Sequence, residues 1–196
     1  MTTLIDRMSS SSLNYRAAFV TDASAAAAVG WFGLTRYEGT IGVAAALIVA
    51  GFLLWGLLEY VLHRWVLHGG PLVARREHAK HHRDARAMIA SPLLFIPIVM
   101  ALIWTVLALL TSGVVASLLT FGVYAGYYYY AVVHHMQHFH PQLLERSGVF
   151  RRQLRRHEMH HRHPDTHFGI SNSLWDRVFR SWFLQNDHVV VEHPRR

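Results

Sequence analysis

The segment 41–62 reads IGVAAALIVAGFLLWGLLEYVL, and Glu59 is its only charged residue. A helix rises about 1.5 Å per residue, so this run is long enough to cross a hydrocarbon core of about 30 Å. An apolar run of this length is typical of a transmembrane helix. The segment therefore predicts an all-α integral membrane protein, because helices satisfy their own backbone hydrogen bonds within lipid.

Two further parts of the chain are apolar at similar length. Residues 93–133 contain no charged residue and are about twice as long as one span, so they predict a hairpin of two helices. Residues 17–34 are a weaker candidate, because Asp22 is costly inside lipid. We expect about four transmembrane helices, with a three-span arrangement as the alternative. The spans lie near residues 17–34, 41–62, 93–111 and 114–133.

The charges indicate how these spans are oriented. Lysine and arginine number 19 against 12 acidic residues, which gives a net charge of +7 with histidine neutral. With four spans, the side opposite the two termini has Arg36 as its only basic residue, so the positive-inside rule places the termini at the cytoplasmic face. Basic residues that flank apolar spans do not form a nucleic-acid-binding face, so we expect no nucleic-acid partner. The chain has no cysteine, which excludes disulfides, thiolate metal sites and cysteine nucleophiles.

This topology predicts one multi-pass membrane domain with a polar part on the cytoplasmic side. We expect residues 1–16 to form a cytosolic segment that is retained, because no clear signal-peptide cleavage site follows. A single domain then covers residues 17–196. Its cytosolic helical cap comes from residues 63–92 and 134–185, and a polar tail follows at 186–196.

Histidine is the most informative residue type in this chain, with 16 among 196 residues. Ten of them form four short clusters, each where an apolar span meets polar sequence. Imidazole is the commonest neutral metal ligand, and ten imidazoles are too many for one ion, so the pattern predicts two ions held close together. The clusters are His63 and His68; His78, His81 and His82; His134 and His138; and His157, His160 and His161.

The spacing within the clusters indicates where the ring nitrogens point. Residues at i, i+3 and i+4 of a helix lie within one narrow sector, so we expect His78, His81 and His82 to direct their nitrogens to one point. The fourth cluster has the same spacing. His63 and His68 are five residues apart, about 140° around an α-helix. They therefore either serve different ions or lie where the helix ends, near the breaker at residues 69–71.

The all-histidine donor set narrows the choice of metal. Imidazole suits iron, zinc and copper, but zinc is normally satisfied by four ligands and is redox-silent. Two ions that share ten nitrogens next to a lipid phase favour two iron ions and chemistry with O2. A purified sample can nonetheless carry zinc, because affinity alone does not favour iron.

The cluster order H-x4-H, H-x2-HH, H-x3-H, H-x2-HH resembles the fatty acid hydroxylase and sterol desaturase superfamily of membrane di-metal oxygenases. The resemblance covers roughly residues 55–182. The flanking residues look like the fatty acid 2-hydroxylase branch, and they are Leu58, Glu59 and Tyr60; Ser91 and Pro92; Phe168, Gly169, Ile170 and Ser171; and Trp175, Asp176 and Phe179.

This resemblance implies a four-helix membrane domain topped by a cytosolic catalytic cap, with the ten clustered histidines as ligands of two metals. It also implies O2 as co-substrate and a lipid substrate, most naturally a fatty acyl chain that is hydroxylated at an unactivated C–H bond. Some relatives carry a fused electron carrier. This chain has no room for one, so we expect electrons from a separate electron-transfer protein.

Several alternatives stay open at this point. His135 is spaced to replace His134 as the partner of His138. Within the superfamily, a sterol or lipid desaturase or a carotenoid hydroxylase would share most of these residues. A non-enzymatic membrane protein that stores or carries metal is the alternative outside it, and that function predicts polar residues along a route through the bilayer.

Other polar and aromatic residues near the clusters are candidates for supporting roles. A ligating imidazole usually donates its second N–H to an acceptor, so nearby acidic residues are candidate partners. Residues 127–130, all tyrosine, predict either an interfacial aromatic belt or the lining of a substrate entrance. Residues 174–183 carry an apolar stripe at helical spacing, which favours equally a helix on the headgroups or one packed on the cap. The candidate partners are Glu59, Asp84, Glu158 and Asp165, with His140, His163 and His167 nearby, whereas His188 and His193 are expected to be solvated.

Overall fold

The computed structural model describes residues 4–70 and 72–182, and this part of the chain is all-helical, as the sequence predicts. The predicted tail, with His188 and His193, lies outside the described residues. The α-helices are α1 Leu4–Ser9, α2 Ser12–Arg36, α3 Ile41–Val61, α4 Leu72–Arg83, α5 Phe95–Leu110, α6 Gly113–Phe139, α7 Pro141–Leu144, α8 Gly148–Arg162 and α9 Leu174–Val178. A π-helical segment, Leu62–Leu67, continues α3 without a break.

Hydroxyl side chains begin the three longest helices. Ser11 accepts a hydrogen bond from the backbone of Asn14 at the start of α2, and Thr40 does the same for Val43 at the start of α3. Ser112 caps α6, which is where the sequence predicts the break in its longest apolar run. Serine and threonine fit these positions because the side-chain oxygen satisfies an amide that has no partner within the helix.

Helix α6 lies at the centre of the fold and packs against α3, α2 and α5. The α3–α6 contact is close enough to need glycine on both sides. A Cβ atom on Gly51 would lie 2.1 Å from the backbone oxygen of Leu119, and one on Gly122 would lie 2.1 Å from that of Ile48. Small residues let two helix backbones approach in this way, which is common in membrane helix pairs.

Two helices, Ser12–Arg36 and Ile41–Leu67, are long and apolar enough to cross a membrane. Helix α5 is apolar but has only 16 residues. Helix α6 has the length, but its tyrosines make it more polar. Outward residues of α5 are strongly exposed, and Leu109 keeps 81% of its surface. A large exposed apolar surface of this kind marks a face that contacts a partner or a membrane.

The acidic residue that makes residues 17–34 a weaker candidate for a span is Asp22, and its side chain faces the interior of the fold. Asp22 is buried, and its Oδ2 atom accepts a hydrogen bond of 3.0 Å from the hydroxyl of Tyr127 on α6. An ionisable residue in a membrane helix is tolerated when it faces the bundle and has a partner. This contact explains how α2 combines an acid with an otherwise apolar sequence.

Within the described residues 174–182, the predicted apolar stripe does not form the single helix that its spacing predicts. Helix α9 ends at Val178, because the amide of Ser181 turns back to the carbonyl oxygen of Asp176 and Arg180 takes a positive φ of 54°. Phe179 stacks on Tyr60 of α3 with ring centroids 5.0 Å apart. The segment is therefore packed on the protein at this end.

Candidate metal centre

The ten clustered histidines converge into two adjacent groups where α3 and α6 meet the polar helices α4 and α8. Within each group, one ring nitrogen from every histidine lies within 4.8 Å of the others. The first histidine group is His63, His68, His78, His82 and His160. The second histidine group is His81, His134, His138, His157 and His161.

The π-helical segment brings His63 and His68 into the same group. The amide of His68 donates to the carbonyl of His63 over 3.2 Å, a bond that spans five residues and widens the turn. In an α-helix these side chains would diverge by about 140°. In the wider turn their rings lie 5.1 Å apart. Short π-helical turns of this kind are frequent at functional sites.

Each H-x2-HH cluster divides its histidines between the two groups, contrary to the expectation that it points to one place. On α4, His78 and His82 enter the first group and His81 enters the second. On α8, His157 and His161 enter the second group and His160 enters the first, so each helix holds the two groups together.

The ring nitrogens in both groups face one another at short distances. In the first group, the Nε2 atoms of His63 and His78 are 3.1 Å apart, and those of His68 and His160 are also 3.1 Å apart. Two rings of different groups, those of His82 and His161, lie only 4.5 Å apart. The two groups therefore border each other directly.

The donor atoms in each group fit a metal ion. His63 and His160 donate from Nδ1 to backbone carbonyls, over 2.6 and 2.7 Å, so in the neutral ring Nε2 carries the lone pair. Those lone pairs point into the group. Imidazole binds metals at about 2.0–2.1 Å, so ligands on opposite sides of an ion lie about 4.2 Å apart. The 4.8 Å spread of each group is close to this value.

The surroundings keep these imidazoles neutral, which metal ligation requires. Burial, and after it the charges of neighbouring imidazoles, lower the pKa of His81 to about 2 and the pKa values of His68 and His161 to about 4. The same causes lower the pKa of His157 well below its ordinary value. At neutral pH the ring nitrogens are therefore free of added protons.

Backbone carbonyls, and not the acidic side chains that the sequence suggests, are the acceptors for two of the imidazoles. His63 donates to the carbonyl of Phe168 and His160 to that of Thr166. The candidate acidic partner Glu59 instead accepts from amides of the loop at residues 168–171. A carbonyl has no residue-type signature, so only the neighbouring motif at residues 168–171 marked this loop.

The profile of the family described as fatty acid hydroxylase matches residues 48–181, which contain all ten clustered histidines. The chain belongs to the fatty acid hydroxylase family. The resemblance inferred from the histidine spacing is thereby confirmed.

Relatives of this chain include proteins named as 2-hydroxylases. The chain is 34% identical over 148 residues to the dihydroceramide fatty acyl 2-hydroxylase FAH2 of Arabidopsis thaliana. The match covers 68% of this chain and 59% of the relative. It is 29% identical over 150 residues to the fatty acid 2-hydroxylase of Rattus norvegicus, which covers 69% of this chain and 39% of that protein. The chain thus spans between two fifths and three fifths of these relatives.

A solved structure has the same fold. Full-length scs7p, in which only the hydroxylase domain is visible, matches with a TM-score of 0.73 and 20% identity. The match covers 92% of this chain and 70% of the other. Family membership and two apolar helices of spanning length together indicate a membrane protein.

The structure of this hydroxylase-family chain separates the two candidate histidines of the third cluster. His134 lies in the second histidine group and stacks under Tyr130 with ring centroids 5.7 Å apart. His135 points away, and a 2.9 Å hydrogen bond joins its Nδ1 to the hydroxyl of Tyr15 on α2. Of the two, the geometry brings only His134 to the other clustered histidines.

The tyrosines at residues 127–130 are half-buried and contact neighbouring helices. Tyr127 donates to Asp22, and the hydroxyl of Tyr129 accepts from Gln153 over 3.1 Å. Tyr130 covers His134. These side chains point to different sides of α6, and Tyr130 is the one that reaches the histidines.

Proposed function

We propose that this chain is a membrane-bound di-iron oxygenase that uses O2 and external electrons to hydroxylate an unactivated C–H bond of a fatty acyl chain. The observation that carries the proposal is the pair of adjacent five-imidazole groups whose lone pairs converge. The names of the relatives make carbon 2 of the acyl chain the position to test first.

In this proposal each histidine group holds one iron ion. Bound iron supplies the oxidising chemistry with O2 that the side chains lack. Five imidazoles leave one position free in an octahedral arrangement, whereas a structural zinc site is normally closed by four ligands. The donor count therefore favours an ion with an open position.

The residues of the chain position the substrate and exclude water. Helix α3 leads directly into His63 and α6 leads into His134, so the metal centre lies at the boundary of the apolar bundle. An acyl chain can reach it from the lipid phase while its headgroup stays in the polar layer. Methylene groups differ little in chemistry, so the shape of the protein around the chain must select the carbon.

For the topology, we propose that α2, α3, α5 and α6 cross the bilayer and that α4, α8 and the metal centre lie on the cytoplasmic side. The outward apolar side chains of α5 and the basic residues beside the histidines support this arrangement. A separate electron-transfer protein would reach the centre from the cytoplasm.

Lipid profiling of the host with and without the chain tests this function. We expect a hydroxylated acyl lipid to disappear when His160 is changed to alanine, and when His81 or His161 is changed, together with lost metal. His188→Ala serves as the control and should change neither. Unchanged lipids combined with altered metal tolerance would refute the enzyme and favour a metal-storage protein.

A further inference from the structure

The loop at residues 168–171 is held by two buried carboxylates that bind its four consecutive amides. Glu59 Oε1 accepts from the amides of Ile170 and Ser171 over 2.6 and 2.8 Å. Asp176 accepts from Phe168 through Oδ1 over 2.8 Å and from Gly169 through Oδ2 over 3.0 Å. Glu59 is 3% exposed and Asp176 is fully buried.

Within the part of the chain that the structure describes, this loop and the turn before it accept hydrogen bonds from imidazoles of the first histidine group. The carbonyl of Phe168 accepts from His63, and that of Thr166, two residues earlier, accepts from His160. Nδ1 of His157 in the second group is buried without a hydrogen-bond partner, as is Nδ1 of His82 in the first. Both backbone acceptors therefore serve the first group, on His63 and His160. An acceptor at Nδ1 fixes the tautomer and the direction of a metal-binding imidazole, so the two groups are not equally preorganised.

We propose that Asp176 is a positioning residue that acts through this loop on His63 and His160. The first histidine group consequently holds its ion more tightly than the second. This inference rests on the proposed metal binding, but it assigns the two ions different affinities and gives Asp176 a role that metal binding alone does not require.

The two carboxylates respond differently to replacement by an amide. Each oxygen of Asp176 faces an N–H donor, so the amide nitrogen of asparagine would meet a second donor whichever way it turns. In Glu59, one oxygen takes both amides and the other faces the hydroxyl of Ser171. Glutamine keeps the first contact, and the hydroxyl can turn to accept from its amide nitrogen.

Zinc binding by the full chain in lipid nanodiscs tests the proposal with Asp176→Asn and the matched variant Glu59→Gln. We expect two zinc ions per chain in the unaltered protein and in Glu59→Gln. In Asp176→Asn, affinity for one ion should fall about 10- to 100-fold, the usual effect of losing a partner that supports a metal ligand. Two unchanged affinities in Asp176→Asn would overturn the proposal, as would equal losses in both variants.

Double variants identify which ion is weakened. Adding His81→Ala to Asp176→Asn should leave neither ion tightly bound, whereas adding His63→Ala should leave the second ion in place. Equal zinc binding by the two double variants would contradict the role of the loop. If the unaltered protein binds neither zinc nor iron, the proposed function itself is refuted. That outcome differs from the ones that refute only the role of the loop.

Ser181→Ala provides a milder variant if Asp176→Asn does not fold. It removes a hydroxyl that donates to Asp176 over 2.8 Å and leaves the carboxylate in place. We expect a chelator to remove the first ion faster from this variant while the second ion leaves at the same rate. Unchanged removal of both ions, or equal acceleration of both, would contradict the proposal.

Discussion

At the residue scale, the direction of a single imidazole decides whether it can bind metal. Neighbouring residues on an α-helix point about 100° apart. That rotation takes His134 into the second histidine group and His135 towards Tyr15 of another helix. His135 also stacks on Phe139, which anchors its ring away from the centre.

Alanine substitution of these two neighbours gives a direct comparison. His134→Ala should remove one metal ion and nearly all hydroxylated lipid, because it deletes one of five converging nitrogens. His135→Ala should keep both ions and most of the product, since it loses only a hydrogen bond and ring packing. Metal analysis and lipid mass spectrometry on the two variants check this, and loss of metal in His135→Ala alone would reverse the assignment.

The sequence identified the ten histidines but not how they are divided. Helical spacing places residues at i, i+3 and i+4 in one sector, and that sector is wide enough to face two neighbouring points. His81 therefore lies in a different group from His78 and His82. His160 likewise lies in a different group from His157 and His161. Which group each residue enters depends on how α4 and α8 lie relative to each other, and this is a tertiary property.

At the scale of the helices, the α3–α6 crossing fixes the distance between the elements that carry His63 and His134. Gly51 and Gly122 meet at this crossing with backbone atoms in contact range. The helices and their break at Ser112 follow from the apolar runs, whereas the π-helical turn has no sequence signal. It arises where α3 leaves the apolar bundle and its last turn widens to align two imidazoles.

Gly122→Ala should destabilise the fold, because its Cβ atom would lie 2.1 Å from a backbone oxygen that has no freedom to move alone. The two helices must move apart to make room for the added methyl group. Overpacking of this kind costs about 1–3 kcal/mol. The control is Gly42→Ala on α3, where nothing lies within 4 Å of the added atom. That change should be neutral or stabilise by about 0.5–1 kcal/mol, since alanine is the better helix former. Thermal unfolding in nanodiscs compares the two, and equal melting temperatures would contradict the close crossing.

At the scale of the whole molecule, the proposed four-span topology depends on the short helix α5. Its 16 residues span about 24 Å, less than a typical hydrocarbon core of about 30 Å. A helix shorter than the core is accommodated by local thinning of the bilayer, at modest cost. Hydropathy predicts the spans and charge predicts their orientation. Neither property distinguishes a hairpin that crosses the bilayer twice from a re-entrant hairpin that enters and leaves on the same side.

Single cysteines can test this topology without background, because the chain has none. In intact cells, a membrane-impermeant maleimide should label Gly39→Cys and Ser112→Cys from outside. Arg155→Cys on the exposed face of α8 should be labelled only after the membrane is opened. If Ser112→Cys also requires an opened membrane, α5 and α6 form a re-entrant hairpin and the four-span proposal is wrong.

The origin of the oxygen atom tests the central proposal most directly. Cells that produce the chain would be grown under 18O2, or in H2 18O under ordinary oxygen, and their acyl lipids analysed by mass spectrometry. We expect one heavy oxygen in the hydroxyl group under 18O2, none from labelled water, and no product with His160→Ala. A hydroxyl oxygen that comes from water, or the absence of any hydroxylated lipid from cells whose purified chain holds two metal ions, would contradict the proposed oxygenase.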